Sequence, residues 1–264
     1  MIDQVEKRVT RGRNRQTGLS MVELMVALTI SLFLIGGMAV ILQNVKNTYT
    51  EQQGLAQLQD NARLAMTLMT DVIESAGYFP NPLSYSAAGT LPASPSFSSA
   101  GTPVITGSTT VTGDSVTVRY APDNTADLYN CMGGTNSFSP YDTWENTFSL
   151  VSTSATTAAL ECTFWSAQYG ASGPTPLVTG LTNGTGGNPK GMVLEYGVTT
   201  QTEVAGTCLD TYKTVSQMGA SDWANVCSVK VTLNFVNPVQ TAGTPAYIPL
   251  TIIIPIMNVA GGTQ

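Results

Sequence analysis

The stretch RNRQTGLSMVELMVALTISLFLIGGMAVIL, residues 13–42, decides the fold of this 264-residue chain. After Gly18, every residue from Leu19 to Leu42 is apolar or small except one carboxylic acid, Glu23. As a helix, an apolar run of this length spans the hydrocarbon core of a bilayer, which is roughly 30 Å thick. A carboxylate inside such a span costs about 2.5–3.5 kcal/mol even on lenient insertion scales. Glu23 therefore indicates a functional residue that has a partner.

The leader before this run, residues 1–18, is basic. It has only two acids, Asp3 and Glu6, against five cations: Lys7, Arg8, Arg11, Arg13 and Arg15. Positive charge next to an apolar helix favours the cytoplasmic side, so the leader is expected there and the rest of the chain outside. No small-residue cleavage site follows the apolar run, which excludes an ordinary secretory signal. A peptidase that removes the leader would cut on the cytoplasmic side.

The hexapeptide Gly18-Leu19-Ser20-Met21-Val22-Glu23 resembles the class III signal of type IV pilins and type II secretion pseudopilins. In that superfamily a prepilin peptidase cuts after the Gly and methylates the new amino terminus. The resemblance implies cleavage between Gly18 and Leu19, N-methylation of Leu19, and an assembly or docking role for Glu23 as the fifth mature residue. Leu19 is a departure, because most members have Phe there. The acid would neutralise either its own amino terminus or that of a neighbouring subunit.

The first long element continues well past the membrane run. Apolar residues recur at spacings of three and four, at Leu55, Leu58, Ala62, Ala65, Met69, Val72 and Ala76. This period predicts one amphipathic helix over residues 19–77, transmembrane to about residue 42, with Gly77 as its stop. Gly36-Gly37 and Gly54 are either places where the helix bends or simple packing glycines.

The remaining residues, 78–264, are predicted to form a β-rich globular head outside the membrane. Residues 78–103 are rich in Pro, Ser, Gly and Ala and are expected to be a loop, and a Gly-rich turn is expected at 180–191. Alternation predicts strands at 104–106, 115–121, 128–132, 147–152, 158–165, 192–198, 226–236 and 246–254. The expected fold class is α+β and type IV pilin-like, with a long N-terminal helix packed against an antiparallel sheet.

Four cysteines, Cys131, Cys162, Cys208 and Cys227, all lie beyond the membrane run, and none forms a CxxC pair. In an exported domain such cysteines are typical of disulfides. Three pairings are open. We favour Cys131 with Cys162 and Cys208 with Cys227, because each pair falls within one local stretch, and four free buried thiols are the alternative.

Enzymatic and metal-binding interpretations are poorly supported by the sequence. Gly113-Asp114-Ser115-Val116 resembles an esterase block, but its serine would need a histidine base and the chain has no histidine. Asp123, Thr125 and Asp127 have the spacing of a calcium loop without its Gly and terminal Glu. We expect no catalytic residue, no cofactor and no metal.

The net charge and the aromatic residues limit which partners the chain could bind. Without the leader, six Lys or Arg face fifteen Asp or Glu, a formal charge of −9. This balance argues against nucleic acid, because phosphate binding needs cations. Tyr141, Trp144 and Trp165 are either core residues or part of a binding surface.

The head extends the resemblance to one branch of the superfamily. The stretches DNARLAMTLMTDVIESAGYF (60–79), DSVTVRY (114–120) and WANVCSVKVTL (223–233) are similar to the PilW family of type IV pilus minor pilins. The resemblance implies a minor pilin that helps initiate pilus assembly and sits at or near the tip. Expected partners are the prepilin peptidase, other minor pilins, the major pilin, the inner-membrane assembly platform and a tip adhesin. The head would lie in the periplasm before assembly, and the subunit would then join the pilus at the cell surface. The alternatives are a J-type minor pseudopilin of type II secretion and an adhesive or DNA-uptake pilin.

Overall fold

The computed structural model describes residues 18, 20–199, 211–239 and 245–257. Contacts divide the chain into two units, Met1–Glu51 and Gln52–Gln264. The described elements are a long helix, a one-turn helix, two 3-10 turns and nine strands. Their bounds are α1 Met21–Glu74, α2 Ala87–Thr90, β1 Ile105–Thr109, β2 Asp114–Tyr120, β3 Trp144–Ser152, β4 Thr157–Ser166, β5 Gly170–Thr182, β6 Met192–Val198, β7 Thr211–Thr214, the 3-10 turns Val215–Gln217 and Asp222–Asn225, β8 Val226–Val236 and β9 Tyr247–Pro255.

In the first unit the described structure is the amino-terminal part of α1. The helix is initiated by a bond from the Leu24 N–H to the Ser20 carbonyl at 3.1 Å. Every residue from 20 to 51 is exposed. The hydroxyls of Thr29 and Ser31 donate to carbonyls one turn back, each at 2.8 Å, so they need no outside partner in an apolar environment. By length and composition, α1 is sufficient to cross a membrane.

In the second unit the remainder of α1 packs on the sheet through one buried face. Its buried residues are Leu58, Ala62, Ala65, Met69, Val72 and Ile73. Five of these six belong to the stripe that the three-and-four spacing predicts; Ile73 is an addition, and the predicted Leu55 is only half-buried. Full burial of a side chain such as Met69 contributes about 1.5–3 kcal/mol. The helix ends at Glu74, and Gly77 follows with φ 79° and donates its N–H to the Arg119 carbonyl at 2.9 Å. Glycine adopts this left-handed conformation without strain, so the chain can turn away at Gly77 after the helix has ended at Glu74.

The strands form one antiparallel sheet in the order β1-β2-β3-β4-β5-β8-β6-β7, with β9 paired to β8. Buried strand residues form one core cluster with the buried face of α1, and they include Val116, Val118, Phe148, Leu160, Leu194, Val229, Val231 and Leu233. A long N-terminal helix on an antiparallel sheet confirms the expected α+β fold class.

The join between β2 and β6 is made by single bonds rather than by a ladder. Asp114 Oδ2 on β2 accepts the Leu194 N–H of β6 at 2.9 Å, and the Gly191 N–H donates to the Thr112 carbonyl at 2.9 Å. Because Asp114 is the first residue of β2, these bonds bring the start of β2 against the start of β6 and curl the sheet.

The structure corrects the predicted strands in three places. Residues 128–132 are not a strand: Tyr129 makes one isolated bridge to Thr135, because the chain turns between them at Gly133, which has φ 79°. Residues 170–182 form β5, although their glycines and prolines are typical of a loop. The unpredicted strand β7 has only four residues, which is too short for an alternating pattern to be recognised. The predicted loop 78–103 contains the single turn α2.

Candidate functional site: the amino-terminal helix and the head surface

Gly18, Leu19 and Glu23 are the residues that the sequence singles out for processing and assembly. Gly18 is exposed, with open space where a Cβ would stand, and Leu19 lies outside the described residues. Glu23 is in the first turn of α1, where the helix dipole favours a negative charge. Its carboxylate has no hydrogen bond or ion pair to any described residue and is exposed with the rest of the segment. In lipid this acid would need a partner from outside the described chain.

The apolar side chains around Glu23 have no cover from the protein itself. Met21 and Phe33 are each 84% exposed, and Leu28 and Val40 are about 60% exposed. Exposed apolar surface of this extent is not stable in water, so it must face lipid or other protein. A Cβ placed on Gly36 or Gly37 would meet nothing within 4 Å, so neither glycine packs closely against another described residue.

One comparison with known proteins matches this segment. Residues 13–39 match the prokaryotic N-terminal methylation motif. No curated protein matches the chain. Among solved structures, the chain is similar to a type IV-like pilin from Thermus thermophilus, with a TM-score of 0.42 and 13% identity, covering 77% of this chain and 97% of that chain.

The methylation motif is the feature that supports the type IV pilin superfamily, and it covers only residues 13–39 of the chain. The motif implies processing by a prepilin peptidase and assembly with other pilins. The exposed apolar helix fits a protein that is anchored in a membrane first and in a pilus afterwards.

Gly54 behaves differently from the glycines of the membrane segment. A Cβ there would lie 2.8 Å from Pro238 Cβ, closer than real contacts allow. Within the second unit the glycine therefore permits the loop after β8 to touch α1. Of the two interpretations offered for Gly54, close packing is the one that these contacts support.

Three of the four head cysteines lie in the described residues: Cys131 on the loop after β2, Cys162 on β4 and Cys227 on β8. Cys131 and Cys162 form a disulfide with a Cα–Cα distance of 6.0 Å, which ties the loop between β2 and β3 to β4. The Cys131 N–H also donates to Asn146 Oδ1 at 2.8 Å. Cys227 is buried on β8, whereas Cys208 lies outside the described residues. The pairing of Cys208 with Cys227 stays a prediction.

A crevice of about 520 Å³ lies at the carboxyl-terminal end of α1, and its lining is acidic. Asp71, Glu74 and Asp127 contribute carboxylates, and Tyr78 contributes a ring. Burial, reinforced by the Asp123 carboxylate, raises the pKa of Tyr78. In the described part of the chain, no group of three His, Cys, Asp or Glu side chains could hold a metal ion.

The stretch with calcium-loop spacing forms a turn that uses its own acid. Asp123 Oδ1 accepts hydrogen bonds from the Thr125 N–H at 3.0 Å, the Thr125 hydroxyl at 2.9 Å and the Ala126 N–H at 2.7 Å. This arrangement is a side-chain-stabilised turn, and it leads into the crevice at Asp127. The local role of Asp123 is therefore to shape the loop.

The three aromatic residues do not form a common surface. Trp144 is 3% exposed and packs edge-on against Tyr120 and Phe164, with ring centroids 5.9 Å and 5.4 Å away. Tyr141 is half-buried against Tyr85, and Trp165 is half-buried on β4. Trp144 is therefore a core residue and not part of a binding surface.

Arg119 is a buried residue that the sequence analysis does not single out. It lies on β2 with no exposed surface, its Nη1 and Nη2 donate to the carbonyls of Pro92 and Ser99 at 2.8 Å each, and its guanidinium stacks on the Phe97 ring at 4.5 Å. Burial lowers the pKa of Arg119, and the nearby Glu145 carboxylate opposes that shift. The sequence predicts that Arg119 lies on a strand. Its partners, the carbonyls of Pro92 and Ser99, could not be predicted because they belong to an irregular loop.

Proposed function

We propose that the protein is a minor pilin of the PilW family that helps to initiate type IV pilus assembly and sits at or near the pilus tip. The observation that carries this proposal is the match of residues 13–39 to the methylation motif, with Glu23 five residues after the cleavage site. A prepilin peptidase cuts between Gly18 and Leu19 and methylates Leu19. The mature subunit then comprises the helix from residue 19 to about 77 and the head from 78 onward.

Before assembly, the subunit is held in the inner membrane by residues 19 to about 42, with its head in the periplasm. The basic leader supports this orientation, since Lys and Arg beside an apolar helix favour the cytoplasmic side. Its partners are the peptidase, the inner-membrane assembly platform, other minor pilins, the major pilin and a tip adhesin. On extraction the subunit joins the pilus at the cell surface.

Glu23 acts in this proposal as the docking residue. Cleavage frees an amine that is protonated near neutral pH, and this amine and the Glu23 carboxylate are both unpaired charges within lipid. If the amine of a neighbouring subunit meets Glu23, the two charges neutralise each other. This pairing occurs at only one position of the neighbour along the filament axis, so it sets where the neighbour docks. The amine of the same subunit, at Leu19, is the alternative partner of Glu23, and it lies outside the described residues.

Glu23→Ala and Glu23→Gln test the docking role. Both variants should insert and be cut as well as the wild type, because the helix becomes more apolar, yet both should be missing from sheared filaments. Glu51→Gln is the matched control, since it removes an exposed acid of the same helix beyond the membrane run and should assemble normally. Recovery of Glu23→Ala in filaments at wild-type amounts would contradict the proposal, and an uncut Glu23→Ala would show a role in processing instead.

The cleavage site is tested separately by the amino-terminal sequence of the mature protein. It should begin at methylated Leu19, Gly18→Ala should be cut in part, and a bulky residue at 18 should block cleavage. Any other amino terminus would refute the site.

A J-type minor pseudopilin of type II secretion shares the methylation motif and is the second candidate. Deletion of the gene distinguishes the two, because loss of piliation supports the pilin and loss of protein secretion with intact pili supports the pseudopilin. Crosslinking in native membranes would identify the neighbours in either case. An adhesive or DNA-uptake pilin predicts ligand binding by the head, and the mature charge of −9 disfavours DNA.

A further inference from the structure

Prolines occur in only two of the nine described strands, and both strands have an edge that no described strand covers. They are Pro174 and Pro176 in β5 and Pro249 and Pro255 in β9. β9 pairs with β8 alone, and β5 pairs with β8 only at Leu181. β1 and β7, which end the strand order, have no proline but contain only five and four residues.

The register of β9 on β8 shows which way its backbone groups point. The Asn237 N–H donates to the Ala246 carbonyl at 3.0 Å just before β9, and the Ile256 N–H donates to the Cys227 carbonyl at 2.8 Å just after it. The register between these two bonds is unbroken, from Val236 opposite Tyr247 to Ser228 opposite Pro255. In an antiparallel ladder, bonded pairs alternate with non-bonded pairs. Even-numbered residues of β9 therefore bond to β8, and odd-numbered residues point to the outer edge.

Both prolines have odd numbers, so each ring nitrogen stands at the outer edge. Pro249, Thr251, Ile253 and Pro255 are all exposed, and Ile253 is 56% exposed. Between the two prolines the outer edge offers backbone N–H donors only at Thr251 and Ile253. An added strand would lose its bonds at both flanking positions.

Without the prolines this edge would be an association hazard. The segment Leu250-Thr251-Ile252-Ile253-Ile254 is uncharged and rich in β-branched residues, which is typical of strands that pair edge to edge. Proline at outward-facing positions leaves the bonds to β8 intact while it removes donors from the free edge. The placement therefore costs the fold nothing in ladder bonds.

We propose that Pro249 and Pro255 close the outer edge of β9, and that a second copy of this chain would otherwise add its own β9 there. The inference rests on the ladder alone and holds whether or not the chain is a pilin. It accounts for the two prolines of β9, whereas the shorter edge strands β1 and β7 lack proline.

The test is the double variant Pro249→Thr, Pro255→Thr in the full-length protein in detergent. Relative to the wild type at the same concentration, sedimentation should show a doubling of mass or more. Thr251→Cys should crosslink two copies when it is added to the double variant and should not do so when it is added to the wild type. Pro82→Thr, in an exposed loop, is the matched control and should leave the mass unchanged. Each single variant should show part of the effect.

Two further variants test the register on which the proposal depends. Thr251→Pro should keep the wild-type protease resistance, because its N–H points outward, whereas Ile252→Pro should lose it, because its N–H bonds to β8. Added to the double variant, Thr251→Pro should restore the wild-type mass. The proposal is overturned if the double variant keeps the wild-type mass or loses protease resistance. It is also overturned if Thr251→Pro fails to reverse the association, or if Thr251→Pro and Ile252→Pro reduce protease resistance equally.

Discussion

Asp114 Oδ2 and the Leu194 backbone N–H lie 2.9 Å apart, and this bond holds β2 against β6, which are not neighbours in the strand order. The second carboxylate oxygen accepts the Lys190 ammonium at 2.9 Å. One carboxylate thus joins the first half of the sheet to the second half and to the turn before β6. The carboxylate is 5% exposed and Leu194 is fully buried, so the bond between them is made away from water.

Asp114→Ala should therefore destabilise the head by about 2–3 kcal/mol, because it leaves the buried Leu194 N–H without an acceptor and removes a charge-assisted bond. Lys190→Met should cost much less, about 0–1 kcal/mol, since the Lys190 side chain is 37% exposed and its ion pair is screened by solvent. Denaturant unfolding of the two variants measures the difference. Equal losses would show that the ion pair, and not the bond to β6, holds the sheet together.

Gly107→Ala should destabilise by about 1–3 kcal/mol through overpacking, because a Cβ there would collide with the Tyr196 hydroxyl and lie 2.7 Å from the Ser115 carbonyl. Tyr196→Phe alone should be neutral or slightly stabilising, since this buried hydroxyl has no hydrogen-bond partner among the described residues. In a double-mutant cycle the Phe variant should relieve part of the Gly107→Ala loss. Strictly additive losses would contradict the assigned contact.

Replacing Cys131 and Cys162 together by Ala should cost about 3–4 kcal/mol in the chain-entropy model, because the two residues are 31 apart in sequence. The loop between β2 and β3 should also become sensitive to protease, since the disulfide is its covalent tie to β4. Chemical unfolding without reductant and peptide mapping measure the two effects. An unchanged unfolding midpoint with an intact loop would show that Asn146 and the other loop contacts suffice.

The pair of Lys213 and Asp222 should make a small contribution to stability that depends on pH. A hydrogen bond from Lys213, at 2.8 Å, together with the Gly219 N–H, holds the pKa of Asp222 below its usual value. A lowered pKa in the folded state stabilises the fold above the unfolded pKa, and this contribution is lost as pH falls through the folded value. The thermal midpoint of the wild type should exceed that of Asp222→Asn at neutral pH, and the gap should shrink in acid. A gap that does not change with pH would contradict this assignment.

The sequence predicts the helix and several strands, such as β2 and β8, because their signals are local. The spacing from Leu58 to Ile73 is a helical period, and Val116, Val118 and Tyr120 alternate along β2. The membrane segment is predicted equally well, because its apolar length and its single acid can be recognised without knowing any contact between distant residues.

The remaining features depend on contacts between residues far apart in the chain. β5 begins with Gly170-Ala171-Ser172-Gly173-Pro174, which has loop composition, and it is a strand only because β4 provides its ladder. Residues 128–132 alternate like a strand, yet Cys131 is fixed by its disulfide rather than by a neighbouring strand. The bond from Leu194 to Asp114 crosses 80 residues, and no local pattern marks it.

Arg119 holds the backbone of the loop before β1 without hydrogen bonds to the loop's exposed side chains. The guanidinium binds the carbonyl oxygens of Pro92 and Ser99, and every amino acid carries a carbonyl. Exposed side chains between these two anchors, such as those of Ser96 and Ser98, are therefore free to drift over evolutionary time without moving the loop. The same anchors fix the number of residues between them, so this part of the head should tolerate substitution and resist insertion.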